Sequence, residues 1–296
     1  MKKFIILAIV LAVAIYYGVT LYEKNTTPDV LDITLGLMDG NHNEADTANT
    51  YVIKKVLEDQ GYNVTIKKIE TMPMYYNIGA GKVDAIVTSW LPVSHFQDYK
   101  AVSKYIKRLN KNFEGTTYGL VVPDYVTISS IEELNSSKDK FNGKMLVDAS
   151  NPELSQKLAK SKKSYNLEYE YIQMSSSEEM GKALQKAIDN KEWVVFTGST
   201  PGWMFAKWNL KYLDDPKRAF AEKESQDIYT VTRKGLEEVS PRATKILERY
   251  KWDPPSDLEK VMLYIHDGMK PEEAAAKWVS ENQDKVDIWL GMKKKK

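Results

Sequence analysis

The chain has no cysteine, only three histidines, and few glycines and prolines (15 and 11) among its 296 residues. Without cysteine there can be no disulfide, thiolate zinc site, iron–sulfur cluster, cysteine nucleophile or thioether lipid anchor. Three histidines leave little room for a His-rich metal site, and the low glycine and proline content excludes a collagen-like or largely disordered chain. Forty-two basic against 41 acidic residues leave a formal charge of +1, without the basic excess of a nucleic-acid binder. Phosphate-binding loops, G-x-G-x-x-G and H-E-x-x-H are missing as well. Gly198-Ser199-Thr200-Pro201-Gly202 places its serine second, so it is not a nucleophile elbow. These absences thin the classes of catalyst, metal site and cofactor that the chain could hold.

What is present begins with Lys2-Lys3 and an apolar run from Phe4 to Tyr22, broken only by Gly18 and Thr20. Its length is close to the ~20 residues a helix needs to cross a bilayer. The two lysines hold the N-terminus on the cytoplasmic side, and Tyr16, Tyr17 and Tyr22 suit the outer interface. Residues 1–24 therefore read as an uncleaved transmembrane anchor, with a cleaved signal segment as the alternative. Residues 25–30 form a polar linker, and the body that follows is expected on the extracytoplasmic side of the cell membrane.

The body alternates strand and helix patterns. Leu31–Met38, Val64–Ile69 and Val83–Ser89 read as strands around helices at Thr50–Glu58 and Tyr75–Gly81. A second set follows. Thr117–Val122, Lys144–Val147, Tyr169–Ile172 and Val194–Thr197 read as strands, with helices at Pro152–Ser161 and Ser175–Asn190, the latter capped by Ser175. The final third, at Pro241–Tyr250, Ser256–Asp267 and Pro271–Ile288, is helical. This spacing predicts an α/β architecture of two sheet-based units. In such folds ligands sit beyond the carboxyl ends of strands or between domains, which directs attention to Asp39–Asp46, Trp90–His95, Asp148–Glu153 and Gly198–Trp203.

Eighteen tyrosines and seven tryptophans are more than packing usually requires. Trp193, Trp252, Trp278 and Trp289 lie in or beside regular elements and read as packing. Trp90, Trp203 and Tyr75 lie at loop ends, where an aromatic face can hold a cation for roughly 0.5–2 kcal/mol per contact. His95, five residues past Trp90, is placed to donate a hydrogen bond to a ligand carboxylate.

The segment Val83-Asp84-Ala85 … Ser89-Trp90-Leu91-Pro92-Val93-Ser94-His95 resembles the D-A-x-x-x-x-W-L-P-x-T-H stretch of glycine betaine-binding proteins, the solute receptors of ABC importers. Thr197–Phe205 is similar to their T-G-W-x-P-H-W-M-F, and the likeness extends from Leu31 to about Asn282. The resemblance implies a two-lobed type II periplasmic-binding fold, each lobe a mixed, mostly parallel sheet flanked by helices, joined by two crossings. One lobe would take residues 31–122 and 228–296, the other 123–227. It also implies a small-molecule ligand closed between the lobes and offered to a permease with an ATPase partner, with no catalysis and no cofactor or metal. A sensing domain of the same fold that feeds no permease is the alternative.

The family's site carries over only in part. Trp90 matches one wall of a three-tryptophan cage, and His95 matches the histidine that assists at the carboxylate. A second cage tryptophan is here Ser199, and the third has become Gly40 or Asn43, while Asp46 keeps an acidic position. The glycine-rich turn that grips the carboxylate reads Asp148-Ala149-Ser150-Asn151-Pro152, and Pro152 removes an amide donor. Losing two cation–π contacts costs about 1–4 kcal/mol. With Asp39, Glu44 and Asp46 nearby, a cationic amine is expected in place of tightly held glycine betaine.

Overall fold

The structure, a computed structural model, describes residues 29–39, 44–221 and 226–293. The expected anchor (1–24), most of the linker, and the candidate residues Gly40 and Asn43 lie outside the described residues. Among the described residues no helix is long and apolar enough to cross a membrane.

Two five-stranded sheets organise the body. The first contains β1 (Asp32–Met38), β2 (Asn63–Ile69), β3 (Ala85–Leu91), β4 (Ile106–Phe113) and a returning β10 (Asp227–Arg233), in the order β2-β1-β3-β10-β4. Helices α1 (Glu44–Asp59), α2 (Thr71–Gly79) and α3 (Phe96–Val102) connect its early strands. The second contains β5 (Thr117–Pro123), β6 (Lys144–Asp148), β7 (Glu170–Met174), β8 (Phe196–Thr200) and β9 (Leu210–Tyr212), in the order β7-β6-β8-β5-β9. It carries α4 (Pro152–Tyr165), α5 (Ser177–Asp189) and α6 (Trp203–Lys207).

Each sheet is mixed, and the irregularity has one cause. In the first, β1 runs parallel to β2 and β3, whereas β10 is antiparallel to both β3 and β4. In the second, β6 runs parallel to β7 and β8, whereas β5 is antiparallel to β8 and β9. The reversed strand in each sheet is the one that has just crossed from the other lobe. Its neighbours end at the gap between the lobes, so a chain arriving there must run away from it.

This topology corrects the expected boundary. The resemblance places Thr117–Val122 in the first lobe, but that strand pairs with β8 and β9 and belongs to the second. The break between lobes falls at Glu114-Gly115-Thr116, where Gly115 adopts φ +81°, a conformation that favours glycine. The two crossings are tied to each other. Gly115 N donates to Asp227 Oδ1 at 2.9 Å, and Thr116 N donates to the Gln226 carbonyl at 3.1 Å.

After β10 the chain adds α7 (Leu236–Val239), α8 (Pro241–Arg249), α9 (Ser256–His266), α10 (Pro271–Glu281) and α11 (Gln283–Leu290), with the expected long last helix divided at Asn282. Trp252, Trp278 and Trp289 meet in the first lobe's core, with Trp278 and Trp289 stacked at 5.5 Å. Buried Asn49 of α1 holds the Trp252 edge of this cluster together with Tyr250. Its Oδ1 accepts from Trp252 Nε1 at 2.6 Å and from the Tyr250 hydroxyl at 2.9 Å. These rings pack as expected and take no part in the gap.

Candidate ligand-binding site

Between the lobes lies a cavity of about 870 Å³, lined by strand ends and the loops that follow them. Met38 and Asp39 end β1, Glu44 and Asp46 open α1, and Trp90 lies near the end of β3. From the other lobe come Tyr118 at the start of β5, Asp148 at the end of β6, and Ser150, Asn151 and Glu153 at the opening of α4. Ser175–Glu178 and Ser199–Trp203 complete that wall. All four segments singled out from the sequence contribute.

Trp90 is held at its edge, leaving its ring to the cavity. Its indole Nε1 donates to Asp46 Oδ1 at 3.1 Å, and its backbone N donates to His95 Nδ1 at 3.1 Å. Accepting at Nδ1 fixes His95 as the neutral tautomer with hydrogen on Nε2. Burial pushes its pKa down to about 4. Asp46 is buried, and burial raises its carboxyl to about 7 against the opposing effect of the Trp90 hydrogen bond. Burial also raises Glu44, opposed by a hydrogen bond from Ser177 and reinforced by the charge of Asp148. Both of those partners belong to the facing lobe.

The lobes touch across the gap. Ser94 Oγ donates to Glu153 Oε2 at 3.0 Å, and the same carboxylate oxygen accepts from the Tyr118 hydroxyl at 3.1 Å. Gly202 N donates to Glu259 Oε1 of α9 at 3.3 Å, where burial raises the Glu259 carboxyl to about 7. Trp203, at the start of α6, stacks on His266 of α9 with ring centroids 3.4 Å apart and planes 13° apart. Its Nε1 donates to Ser177 Oγ at 2.7 Å. Gly181 of α5 makes room for this ring, since a Cβ there would lie 2.7 Å from a Trp203 carbon.

Among the sequence candidates, Trp90, His95, Asp39, Asp46, Ser150, Asn151, Ser199 and Trp203 all line the cavity. Three have duties other than those expected. Trp203 is 1% exposed and joins the lobes more than it faces a ligand. Ser150 donates from both its N (3.0 Å) and its hydroxyl (2.5 Å) to Asp148 Oδ1, and Asn151 caps α4 by accepting from Leu154 N at 2.9 Å. Tyr75 is a correction. It is buried in the first lobe, with its hydroxyl 2.5 Å from Ser89 Oγ and its ring edge-on to His95 at 6.0 Å. The helical pattern of Met74, Tyr75 and Ile78 turns that ring into the core.

Sequence reasoning missed Tyr118 and Ser175–Glu178 as lining residues. The signal was available for the last group, because it follows β7 as the other loops follow their strands. The cap of α5 is Ser176, accepting from Glu179 N at 3.1 Å, one residue beyond the expected Ser175. Six carboxylates line the cavity (Asp39, Glu44, Asp46, Asp148, Glu153 and Glu178), and no lysine or arginine does among the described residues.

Residues 32–281 match the family model OpuAC, the substrate binding domain of ABC-type glycine betaine transport systems. The chain is 47% identical over 118 residues to the glycine betaine/carnitine transport binding protein GbuC of Listeria monocytogenes. That alignment covers 40% of this chain and 38% of the relative, so it spans well under half of the relative's length. The crystal structure of lactococcal OpuAC, closed and complexed with glycine betaine, is similar at 31% identity and a TM-score of 0.66, over 88% of this chain and 99% of that one. A glycine betaine/L-proline-binding protein from Borrelia burgdorferi is similar at 31% identity and a TM-score of 0.64, over 87% and 96%. With the family model covering both lobes from β1 to the end of α10, the chain belongs to the family of substrate-binding domains of ABC-type glycine betaine transport systems.

Proposed function

We propose that this protein is the extracytoplasmic substrate-binding protein of an ABC importer. It takes a small amine-bearing solute between its lobes and presents the closed form to a permease driven by an ATPase. One observation carries the reading: a cavity lined by both sheets' strand ends, with the Trp90 indole held in its wall by Asp46 and the Trp90 backbone by His95. A pinned aromatic face attracts an ammonium through the ring quadrupole without needing to be ordered on binding. Binding by relatives of glycine betaine and carnitine, as their names state, supports the same class of solute.

Residues 1–24 serve in this reading as an uncleaved anchor that keeps the receptor at the membrane, supported by Lys2-Lys3 and the Phe4–Tyr22 run. Recovery of the protein in the membrane fraction after alkaline extraction is the expected result; release of a shortened chain would favour cleavage.

The binding reading is tested by a thermal-shift and calorimetric screen of betaines, choline, carnitine, diamines and amino acids. A true ligand raises the melting temperature with concentration by mass action. Trp90→Ala is expected to weaken that ligand by roughly 3- to 30-fold, the equivalent of one cation–π contact. Because Trp90 packs against the first lobe's core and donates to Asp46, its loss should also lower the unliganded melting temperature, whereas Trp90→Phe, which keeps a ring, should bind closer to the wild type. A screen in which no solute shifts the melting temperature would remove the proposal.

A further inference from the structure

Resting on that reading of the cavity, we infer that its solute is a linear diamine or polyamine: at least two N–H ammonium groups and no carboxylate. The first argument is charge. Glu178 is paired with Lys182 at 2.5 Å, and Glu153 has Lys157 at 3.9 Å. Among the described residues Asp39, Glu44, Asp46 and Asp148 have no ion-pair partner, and no lysine or arginine lines the cavity. Glu44 and Asp148 belong to opposite lobes yet raise each other's energy, so closing the lobes sets like charges together. A monocation can meet one pair of these carboxylates but not the set on both walls, and a zwitterion brings in a further carboxylate that they repel.

The second argument is that two loops facing the cavity have their donors engaged by the protein's own carboxylates, with His95 Nε2 still open to a solute acceptor. At the turn after β6, where a carboxylate would be gripped, Ser150 N and Oγ are already spent on Asp148, and Pro152 has no N–H. In the loop after β7, Ser175 N and Oγ both donate to Glu179 Oε2 at 2.8 Å. The protein's own carboxylates occupy these positions.

The third argument is the shortage of aromatic faces. A quaternary ammonium has no N–H and depends on rings, whereas a primary ammonium has three donors and prefers carboxylates. The Trp203 face is covered by His266, and Lys157 Nζ sits 5.1 Å from the Tyr118 ring centre. Of these three rings, only that of Trp90 carries no other ring or cation among the described residues. One open face with four unpaired carboxylates fits an alkyl chain laid on the ring with an ammonium at either end.

The test is calorimetric titration of the full chain at constant ionic strength with 1,4-diaminobutane, spermidine, choline and glycine betaine. Glu44→Gln and Asp148→Asn are titrated alongside. The expected result is that a diamine or spermidine binds at least about tenfold more tightly than choline and glycine betaine. Each variant should lose about tenfold or more of that affinity without a fall in melting temperature, since each removes a repelling charge and keeps the side-chain shape. Tighter binding of choline or glycine betaine overturns the inference and leaves the importer reading standing. Amine binding that both variants retain in full overturns it too, because the amine then sits elsewhere. Silence from all four solutes sinks the inference, and extended silence across the wider screen sinks the importer reading with it.

Discussion

Replacing Trp203 with alanine is expected to destabilise the protein by ~3–5 kcal/mol, the range for deleting a large buried aromatic side chain. The residue sits on α6 of the second lobe, yet it packs in the first lobe's core at 1% exposure. Burial lowers the His266 pKa, so near neutral pH the stack is between two uncharged rings and its strength comes from contact area. Truncation removes that stack, opens a void beside Gly181 and strips the Ser177 hydroxyl of its indole donor. Two of the three losses lie on the second lobe and one on the first, so the joint itself is weakened. Urea unfolding should show the lowered midpoint, and small-angle scattering should show a larger radius of gyration for the native variant. Trp203→Phe keeps a ring against His266 and loses the hydrogen bond to Ser177, worth about 1 kcal/mol, so it should recover most of the deficit. A loss below about 1 kcal/mol for the alanine variant would show that the ring is not the joint.

Much of this arrangement can be read from the chain because strand ends announce themselves locally. Trp90-Leu91-Pro92, Asp148–Pro152 and Gly198–Gly202 each follow an apolar run and stop it, and all reach the cavity. The parts that cannot be read depend on partners distant in sequence. Nothing within Thr117–Pro123 says that its neighbours are β8 and β9 and not β3. The decisive feature is the turn at Gly115, which precedes the strand. Strand β4, Ile-Lys-Arg-Leu-Asn-Lys-Asn-Phe, is too polar to stand out as a strand, and it survives as the edge of its sheet because β10 covers one side only. Helix α1 starts at Glu44, ahead of the apolar stripe that begins near Thr50, so Asp46 reads as part of a turn but lies inside a helix. Tyr75 and Trp203 show the same limit for aromatics, since loop-end position alone does not distinguish a ring facing a cavity from one facing a core or a neighbouring lobe.

Asp46 is where stability and binding pull apart, and asparagine at that position should separate them. In the unliganded protein Asp46→Asn is expected to raise stability at about pH 8 by roughly 2–4 kcal/mol, because a shift from 3.8 to about 7 corresponds to about 1.36 kcal/mol per unit. The lower end allows for the positive end of the α1 dipole, which favours a carboxylate in the first turn. The sign follows from proton uptake. Between the unfolded value and about 7 the native state holds a proton that the unfolded state has released, so stability falls as pH rises through that window, and the full deficit is present above it. Glu259, raised from 4.5 to about 7, contributes in the same direction. His95, lowered from 6.5 to about 4, contributes in the opposite one, because there the unfolded state binds the extra proton and stability is lost as pH falls. These two shifts are of similar size and largely cancel, leaving Asp46 as a principal source of the slope. Melting temperatures at about pH 5 and 8 should therefore differ clearly in the wild type and much less in the variant; parallel profiles would refute the assignment. The substituted amide's oxygen can still accept from Trp90 Nε1, so the ring stays pinned and only the charge is lost. If the more stable variant also binds its amine more weakly, the buried carboxylate is retained for the cation it meets, since it adds nothing to the fold at neutral pH.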